Sequence, residues 1–176
     1  QALAGLTITQ SNGTNFLSTV DVSDSNSGTI TLTDTQDNKD INFFGNVTAD
    51  TFTTAAQGYD IFFFSDATFA NAVTFQNTGT LDLGNATSDT LTFNGGVTTS
   101  SVGGTVTLDT SISSSDDAIT LGAVTLGNNV TIDTNSTTTN RADITIAAIT
   151  GGNNTLTLTT ENNVTGSNVT ASGNIS

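Results

Sequence analysis

The sequence predicts an all-β protein wound as a parallel β-helix, or β-solenoid, of about eight coils. Two observations support this prediction. Apolar residues alternate with polar ones along most of the chain, and similar stretches of sequence recur at intervals of about 20 to 26 residues. A period of two places one set of side chains on one face of a strand and the intervening set on the other. The sequence has no helical periodicity of any length.

About fourteen short strands are predicted. Val, Ile, Leu and Phe are set among threonines, which make up about a fifth of the chain and suit the half-buried surface of a strand. Clusters of Gly, Asn, Asp and Ser separate the strands and are typical of turns. The alternating apolar pairs are Leu6/Ile8, Val20/Val22, Ile30/Leu32, Ile41/Phe43, Ile61/Phe63, Val73/Phe75, Leu81/Leu83, Leu91/Phe93, Val106/Leu108, Ile119/Leu121, Val130/Ile132, Ile144/Ile146 and Leu156/Leu158.

Four stretches fit one template, in which an apolar–polar–apolar strand is followed by a small or turn residue and a second strand. They are INFFGNVT from Ile41, LTFNGGVT from Leu91, ITLGAVT from Ile119 and ITIAAIT from Ile144, and the last two align at a shift of 25. Such repeats indicate a solenoid, because one coil cannot bury its apolar face alone and stacked coils build a continuous core. Thr and Asn in matching positions are expected to form ladders on the outside or at the turns.

A β-sandwich or jelly roll also uses short, evenly spaced strands and is the alternative fold. Residues 1–40 repeat less clearly than the rest of the chain. We therefore expect residues 1–40 to form an N-terminal segment that caps the solenoid or pairs with a neighbouring molecule. Residues 41–176 are expected to form the β-solenoid repeat region.

The formal charge of −14 arises from 16 acidic residues against two basic ones. It argues against nucleic-acid binding, which needs Lys and Arg to neutralise phosphates, and against docking on an anionic membrane surface. No stretch approaches the roughly 20 apolar residues of a membrane-spanning helix, so no membrane insertion is predicted. The absence of cysteine excludes disulfides and thiolate metal sites.

The sequence predicts that the protein is not an enzyme. Without histidine, acid–base catalysis would depend on carboxylates, and the aspartates that lie close together in sequence are interpreted as solvated turn residues. They are Asp116 and Asp117; Asp34, Asp37 and Asp40; and Asp21 and Asp24. Trp is absent and Tyr59 is the only tyrosine, so aromatic platforms for a glycosidase site are few. A carboxylate pair lining a groove beside Tyr59 would be needed to support a carbohydrate-cleaving enzyme.

No cofactor is predicted. The stretches DTQDNKD, from Asp34 to Asp40, and SSSDD, from Ser113 to Asp117, offer oxygen ligands of the kind that Ca²⁺ prefers. Neither has the ligand spacing of a known calcium loop. Structural Ca²⁺ therefore remains the alternative to ordinary turns.

The stretches from Tyr59 to Thr99 and from Ile119 to Ser176 resemble the β-strand repeats of giant secreted bacterial surface proteins, the filamentous-haemagglutinin-like and autotransporter-like adhesins. The resemblance covers about residues 41–176 and is one of repeat style. It implies a right-handed parallel β-helix, exported to the cell surface, that serves as a stalk, adhesin or extracellular fibre. It transfers no catalytic residue.

The function expected is therefore that of a structural subunit or segment of a secreted, cell-surface bacterial filament or matrix. Its partner would be the same protein, stacked head to tail through strand pairing at the chain ends. In IFFFSDATF, Ile61 and Phe63 would face one way and Phe62 and Phe64 the other, near Phe43 and Phe44 if the coils are in register. The candidate inter-subunit interface residues are Leu6, Ile8, Phe62, Phe64, Val169 and Ile175.

An alternative function is an adhesin segment that binds a glycan or host-surface protein through a side face, with Phe62 and Phe64 as the candidate contact. A further alternative is ice binding through outward threonines, which requires regular Thr-x-Thr ranks on one flat face. The spacing of these ranks in the sequence is irregular, so we do not expect this function from the sequence.

Overall fold

The computed structural model of the chain describes residues 3–23, 27–134 and 142–160, and the backbone of residues 169–171. These residues form twenty strands, and none of them forms a helix that could cross a membrane. In chain order the strands are β1 Gly5–Ile8, β2 Thr14–Phe16, β3 Val20–Val22, β4 Thr29–Leu32, β5 Asp40–Phe43, β6 Val47–Ala49, β7 Thr51–Thr54, β8 Asp60–Phe63, β9 Ala67–Phe69, β10 Val73–Thr74, β11 Leu81–Leu83, β12 Thr90–Phe93, β13 Val97–Thr98, β14 Val106–Leu108, β15 Ser111–Ser113, β16 Ile119–Leu126, β17 Val130–Asp133, β18 Ile144–Thr150, β19 Leu156–Thr159 and β20 Val169–Ala171.

The strands stack into three faces of a β-solenoid, which confirms the predicted fold. The first face contains β1, β4, β7, β10, β13, the first halves of β16 and β18, and β20. The second contains β2, β5, β8, β11, β14 and the second halves of β16 and β18. The third contains β3, β6, β9, β12, β15, β17 and β19. Within the described ranges every strand pairs in parallel with the equivalent strand one coil away, a pattern that a sandwich does not have.

The predicted number of about eight coils was slightly too high. The second and third faces each contain seven strands in the described part of the chain, so about six full turns separate the first strand of a face from its last. The prediction also assigned two strands to each coil, whereas a coil has three.

The inward side chains form one continuous apolar core. Phe16, Phe43 and Phe63 come from successive coils of the second face and stack with ring centroids 5.0 and 5.1 Å apart. Phe52 packs across the core against Phe69 at 5.1 Å. Because like residues lie above like, each coil buries its apolar face against the next one and no coil needs a core of its own.

The repeats behave as predicted in one respect and differently in another. Ile119 pairs with Ile144, which confirms the alignment at a shift of 25. The stretches from Ile41 and Leu91, however, begin on the second and third faces respectively, whereas the stretch from Ile119 begins on the first. All three corners of the coil thus use the same strand–turn–strand pattern, so the pattern does not identify the face.

Residues 1–40 contribute β1 to β4, and these strands lie in the same three faces as the later ones. Gly5 pairs with Thr29, and Thr29 pairs with Thr51 in the repeat region, without a break between the two segments. The capping or inter-subunit role expected for residues 1–40 stays a prediction.

The corner between the first and second faces varies in length from coil to coil. It takes seven residues between β4 and β5, at positions 33–39, whereas β16 and β18 run through it as continuous strands. Tyr59 and Asn77 fill the inside of this corner and are fully buried. Extra residues lie in this corner, outside the strands, so they do not change the register of the strand pairing within each face.

Candidate functional site

The outer edge of the first coil is the first candidate site. In the described part of the chain, β1, β2 and β3 each pair with a strand on one side only. The outer edge of β3 is partly covered, because the carbonyl of Asp21 accepts a hydrogen bond from the N–H of Leu3 at 3.0 Å, so the open edges are those of β1 and β2. The carbonyl of Ile8 accepts a hydrogen bond from the N–H of Thr33 at 2.9 Å, and so points toward the second coil. Since backbone direction alternates along a strand, the N–H and carbonyl of Thr7 point toward the free edge.

The predicted interface residues of this edge face the core with their side chains. Ile8 is buried and Leu6 is partly buried against the core. Leu3 and Leu17, which the prediction did not include, are the exposed large apolar side chains of the first coil, with 55% and 80% of their surfaces accessible. Alternation carried a signal for Leu17, because it directly follows the inward-facing Phe16.

The other predicted interface residues lie at the opposite end of the chain. Val169 begins β20 and pairs with Ile144 of β18. The side chain of Val169 and all of Ile175 lie outside the described residues. Their role at an interface stays a prediction.

An aromatic patch, defined as Phe44, Phe62 and Phe64, lies on the outside of the second face. Phe44 and Phe64 stack with centroids 4.8 Å apart, and Phe62 and Phe64 with centroids 5.9 Å apart. Phe44 is 45% exposed, whereas Phe62 and Phe64 are half-buried. The inward residues of the same strand, Ile61 and Phe63, are buried, which confirms the predicted alternation.

Asp82 lies next to the patch and is the most unusual carboxylate of the described residues. It pairs in register with Phe62 on one side and Thr107 on the other. Its Oδ1 is buried without a hydrogen-bond partner. Burial raises the pKa of Asp82 and the charge of Asp60 raises it further, while a hydrogen bond from Thr107 opposes the shift. Burial also raises the pKa of Asp109, with the charge of Asp82 as a second cause.

Sequence reasoning missed this group of carboxylates because its members are more than twenty residues apart in the chain. A signal was present in LDL, where Asp82 lies between Leu81 and Leu83, both of which are buried. An aspartate at an outward position of a central strand lies on the sheet surface between the residues that pair with it in register, and these can bury it. The register itself could not be read from the sequence.

The aspartates chosen from the sequence lie at corners or at outward positions of strands, in the part of the chain that the structure describes. Asp21 accepts hydrogen bonds from the N–H and hydroxyl of Ser23, which lower its pKa. Asp37 accepts a hydrogen bond from the N–H of Gly58 at 3.0 Å, and Asp40 is exposed at the start of β5. Asp116 is buried with a positive φ of 63°, whereas its neighbour Asp117 is exposed. Asp24 lies outside the described residues.

Tyr59 does not offer a platform for a substrate. Its side chain is fully buried, and its hydroxyl donates a hydrogen bond to the carbonyl of Leu32 and accepts one from the N–H of Ala55, both at 3.0 Å. Burial raises the pKa of Tyr59 to about 12. Among the described residues no group of three or more acidic side chains is placed to hold a metal ion, and the structural Ca²⁺ considered above stays a prediction.

A threonine ladder runs along the outside of the first face. The central outward position of every strand in this face is a threonine, and each pairs in register with the next. The ladder consists of Thr7, Thr31, Thr53, Thr74, Thr98, Thr120, Thr145 and Thr170. Of the members whose side chains are described, all are exposed or half-buried. The predicted outward ladder of threonines is thereby confirmed.

The other two faces are mixed at the equivalent position. The row on the second face includes Asn15, Asn42, Phe62 and Asp82. The row on the third face has three successive threonines, Thr48, Thr68 and Thr92, bounded by Asp21 on one side and Ser113 on the other. Only the first face is uniform.

No protein-family model matches the chain, and neither the curated proteins nor the solved structures include a match. The resemblance to bacterial adhesin repeats stays a prediction.

Proposed function

We propose that the chain is a structural β-solenoid, a subunit or segment of an extracellular bacterial surface filament or matrix that assembles head to tail through strand pairing. The observation that supports this most directly is the open edge of the first coil. The outer edges of β1 and β2 lie there without a paired strand among the described residues, and Leu3 donates a hydrogen bond to the outer edge of β3. An uncovered edge of this kind is a template for pairing with another chain.

Two properties of the edge favour a second copy as the partner. Parallel coils that repeat one cross-section present matching shapes at both ends of a solenoid, so a heterologous contact between copies continues the same stack. Leu3 and Leu17 add exposed apolar surface beside the edge strands. Secretion and a surface location are proposed from the resemblance of the repeats and from the acidic composition.

The test is electron microscopy and light scattering of the purified chain, with variants at Thr7. The chain is expected to form filaments with an axial repeat of about 34 Å, from the seven strands of the second and of the third face at about 4.8 Å each. Thr7→Pro removes an N–H that points to the free edge, and proline is tolerated on an edge strand. We expect this variant to fold but to remain monomeric.

The matched control is Thr7→Val, which keeps the backbone N–H and the β-branched shape, and is expected to assemble like the unmodified chain. Assembly should strengthen with added salt, since the charge of −14 makes copies repel one another and salt screens that repulsion. Monomers at every salt concentration, or filaments of Thr7→Pro as abundant as those of Thr7→Val, would contradict edge pairing.

The aromatic patch favours a second candidate function, an adhesin segment that binds a glycan or protein through its side. Clustered, partly exposed aromatic rings are more frequent at binding surfaces than elsewhere on a protein. Binding to immobilised glycans and surface proteins, compared between the unmodified chain and Phe64→Ser, tests this function. The adhesin function is supported only if the unmodified chain binds one of these targets and Phe64→Ser binds it more weakly.

A further inference from the structure

We propose that the first face binds the surface of ice through the threonine ladder. This is independent of the assembly proposed above, since it uses the side of the solenoid and not its end. The sequence argues against ice binding, because successive ladder threonines are between 21 and 25 residues apart. The strand pairing removes that objection: the variable corners absorb the differences, and Thr53 lies between Thr31 and Thr74 in unbroken register.

The ladder has the regularity that recognition of a crystal lattice requires. Paired strands place the threonines about 4.8 Å apart along the solenoid. In the second and third coils a second threonine lies two residues away on the same strand, as Thr29 does from Thr31 and Thr51 from Thr53, about 6.6 Å along the strand direction. The face therefore presents a continuous rank of threonine hydroxyl and methyl groups, with a second rank in these two coils.

The array is held rigidly. Each ladder strand from β4 to β18 is paired on both sides, and the β-branched side chain of threonine has few rotamers. The hydroxyl of Thr53 lies 3.3 Å from that of Thr31 and 3.4 Å from the carbonyl of Ile30, within hydrogen-bonding distance of both. A preorganised array loses little side-chain entropy when it binds, so many weak contacts can add up.

Charge is almost absent from this face, although the chain is strongly acidic. Fourteen positions lie two residues before or after the first seven ladder threonines. Of these only Asp143 is charged, and the others are Gly, Ala, Ser, Thr or Gln. Apart from Asp143, such a face offers no charged or aromatic anchor to a soluble ligand or protein, and partners of those kinds depend on such anchors. It suits an uncharged, regular lattice of water molecules, which hydroxyl and methyl groups can contact without such an anchor.

The test measures thermal hysteresis and the inhibition of ice recrystallisation over micromolar to millimolar concentrations of the chain. The unmodified chain is expected to depress the freezing point below the melting point and to shape growing ice crystals. Thr74→Lys places a long, hydrated charge in the middle of the ladder and is expected to lose most of this activity. Thr68→Lys is the matched control, an exposed outward threonine six residues away on the third face, and is expected to keep the activity.

A second matched pair of variants repeats the test, in case a variant of the first pair fails to fold. Thr98 of the ladder and Thr92 of the third face are both half-buried, again six residues apart, and Thr98→Lys should lose activity while Thr92→Lys keeps it. Far-UV circular dichroism checks the fold of all four variants. An unmodified chain with no effect on ice, or equal losses in both members of a pair, would overturn the proposal. Retention on crystalline cellulose or chitin without any effect on ice would assign the face to a glycan and overturn it too.

Discussion

Replacement of Phe63 by alanine should destabilise the protein far more than replacement of its neighbour Phe62. Phe63 is 1% exposed, and the rings of Phe43, Phe52, Phe69 and Phe75 surround it at centroid distances between 5.1 and 6.3 Å. Truncation of a buried phenylalanine costs about 3 to 5 kcal/mol, and the crowding by four rings puts Phe63→Ala near the upper end. The stability of a typical domain, about 5 to 15 kcal/mol, leaves room to measure this loss.

Phe62 is the matched control because it has the same side chain on the same strand. It faces outward, is half-buried and contacts one aromatic ring of the patch, that of Phe64 at 5.9 Å. Phe62→Ala should therefore cost about 1 kcal/mol, the value of one aromatic pair with partial burial. Guanidinium denaturation followed by far-UV circular dichroism gives both free energies of unfolding. Equal losses for the two variants would refute the inward and outward assignment of β8, and with it the face assignments of the paired strands.

Two further predictions concern ionisation. Tyr59 is the only tyrosine and Trp is absent, so ultraviolet absorbance at high pH should show its ionisation alone, with a pKa of about 12 instead of 10.0. The stability from burying the neutral phenol is complete below pH 10 and falls as the pH rises through about 12, and a midpoint near 10 in the folded protein would contradict the burial. Asp82→Asn should raise the unfolding temperature at neutral pH. The raised pKa of Asp82 means that its charged form opposes folding, so the penalty is absent below the unfolded pKa of 3.8 and grows as the pH rises through the folded value. Asp21→Asn is the control of opposite sign, because hydrogen bonds from Ser23 lower the pKa of Asp21, and a larger gain from Asp21→Asn than from Asp82→Asn would contradict the reasoning.

The sequence was sufficient to predict the strand chemistry and the solenoid, because both depend on local periodicity. The pairing of Ile119 with Ile144 followed from two nearly identical repeats. The face on which each strand lies did not follow, since the three corners use one pattern and differ in length. The row that contains Phe62 and Asp82, and the alignment of Thr53 with Thr74, depend on register between strands that are about twenty residues apart. Register in this fold is set by how many residues each corner takes, and composition does not encode that number.

Sequence reasoning also predicted which side chains point outward better than it predicted which side chains lie next to one another. Alternation alone predicted that Phe62 and Phe64 face away from Ile61 and Phe63. Their neighbours were predicted only in part: Phe44 was expected nearby, but the buried carboxylate of Asp82 was not. The nearly charge-free surroundings of the threonine ladder become visible only when fourteen positions from seven coils are placed side by side.

The parallel pairing of each strand with its equivalent one coil away has a consequence for the length of the molecule. Paired residues are never more than a single coil apart in the described chain: Val106 pairs with Val124 at a separation of 18, and Thr14 with Ile41 at 27. Among the described residues no strand pairing joins distant coils, so nothing in that pairing fixes how many coils there are. Gain or loss of a whole coil by recombination within a gene would leave every remaining neighbour in place. The length of the solenoid can thus change in steps of one coil, about 4.8 Å each, while the fold stays the same.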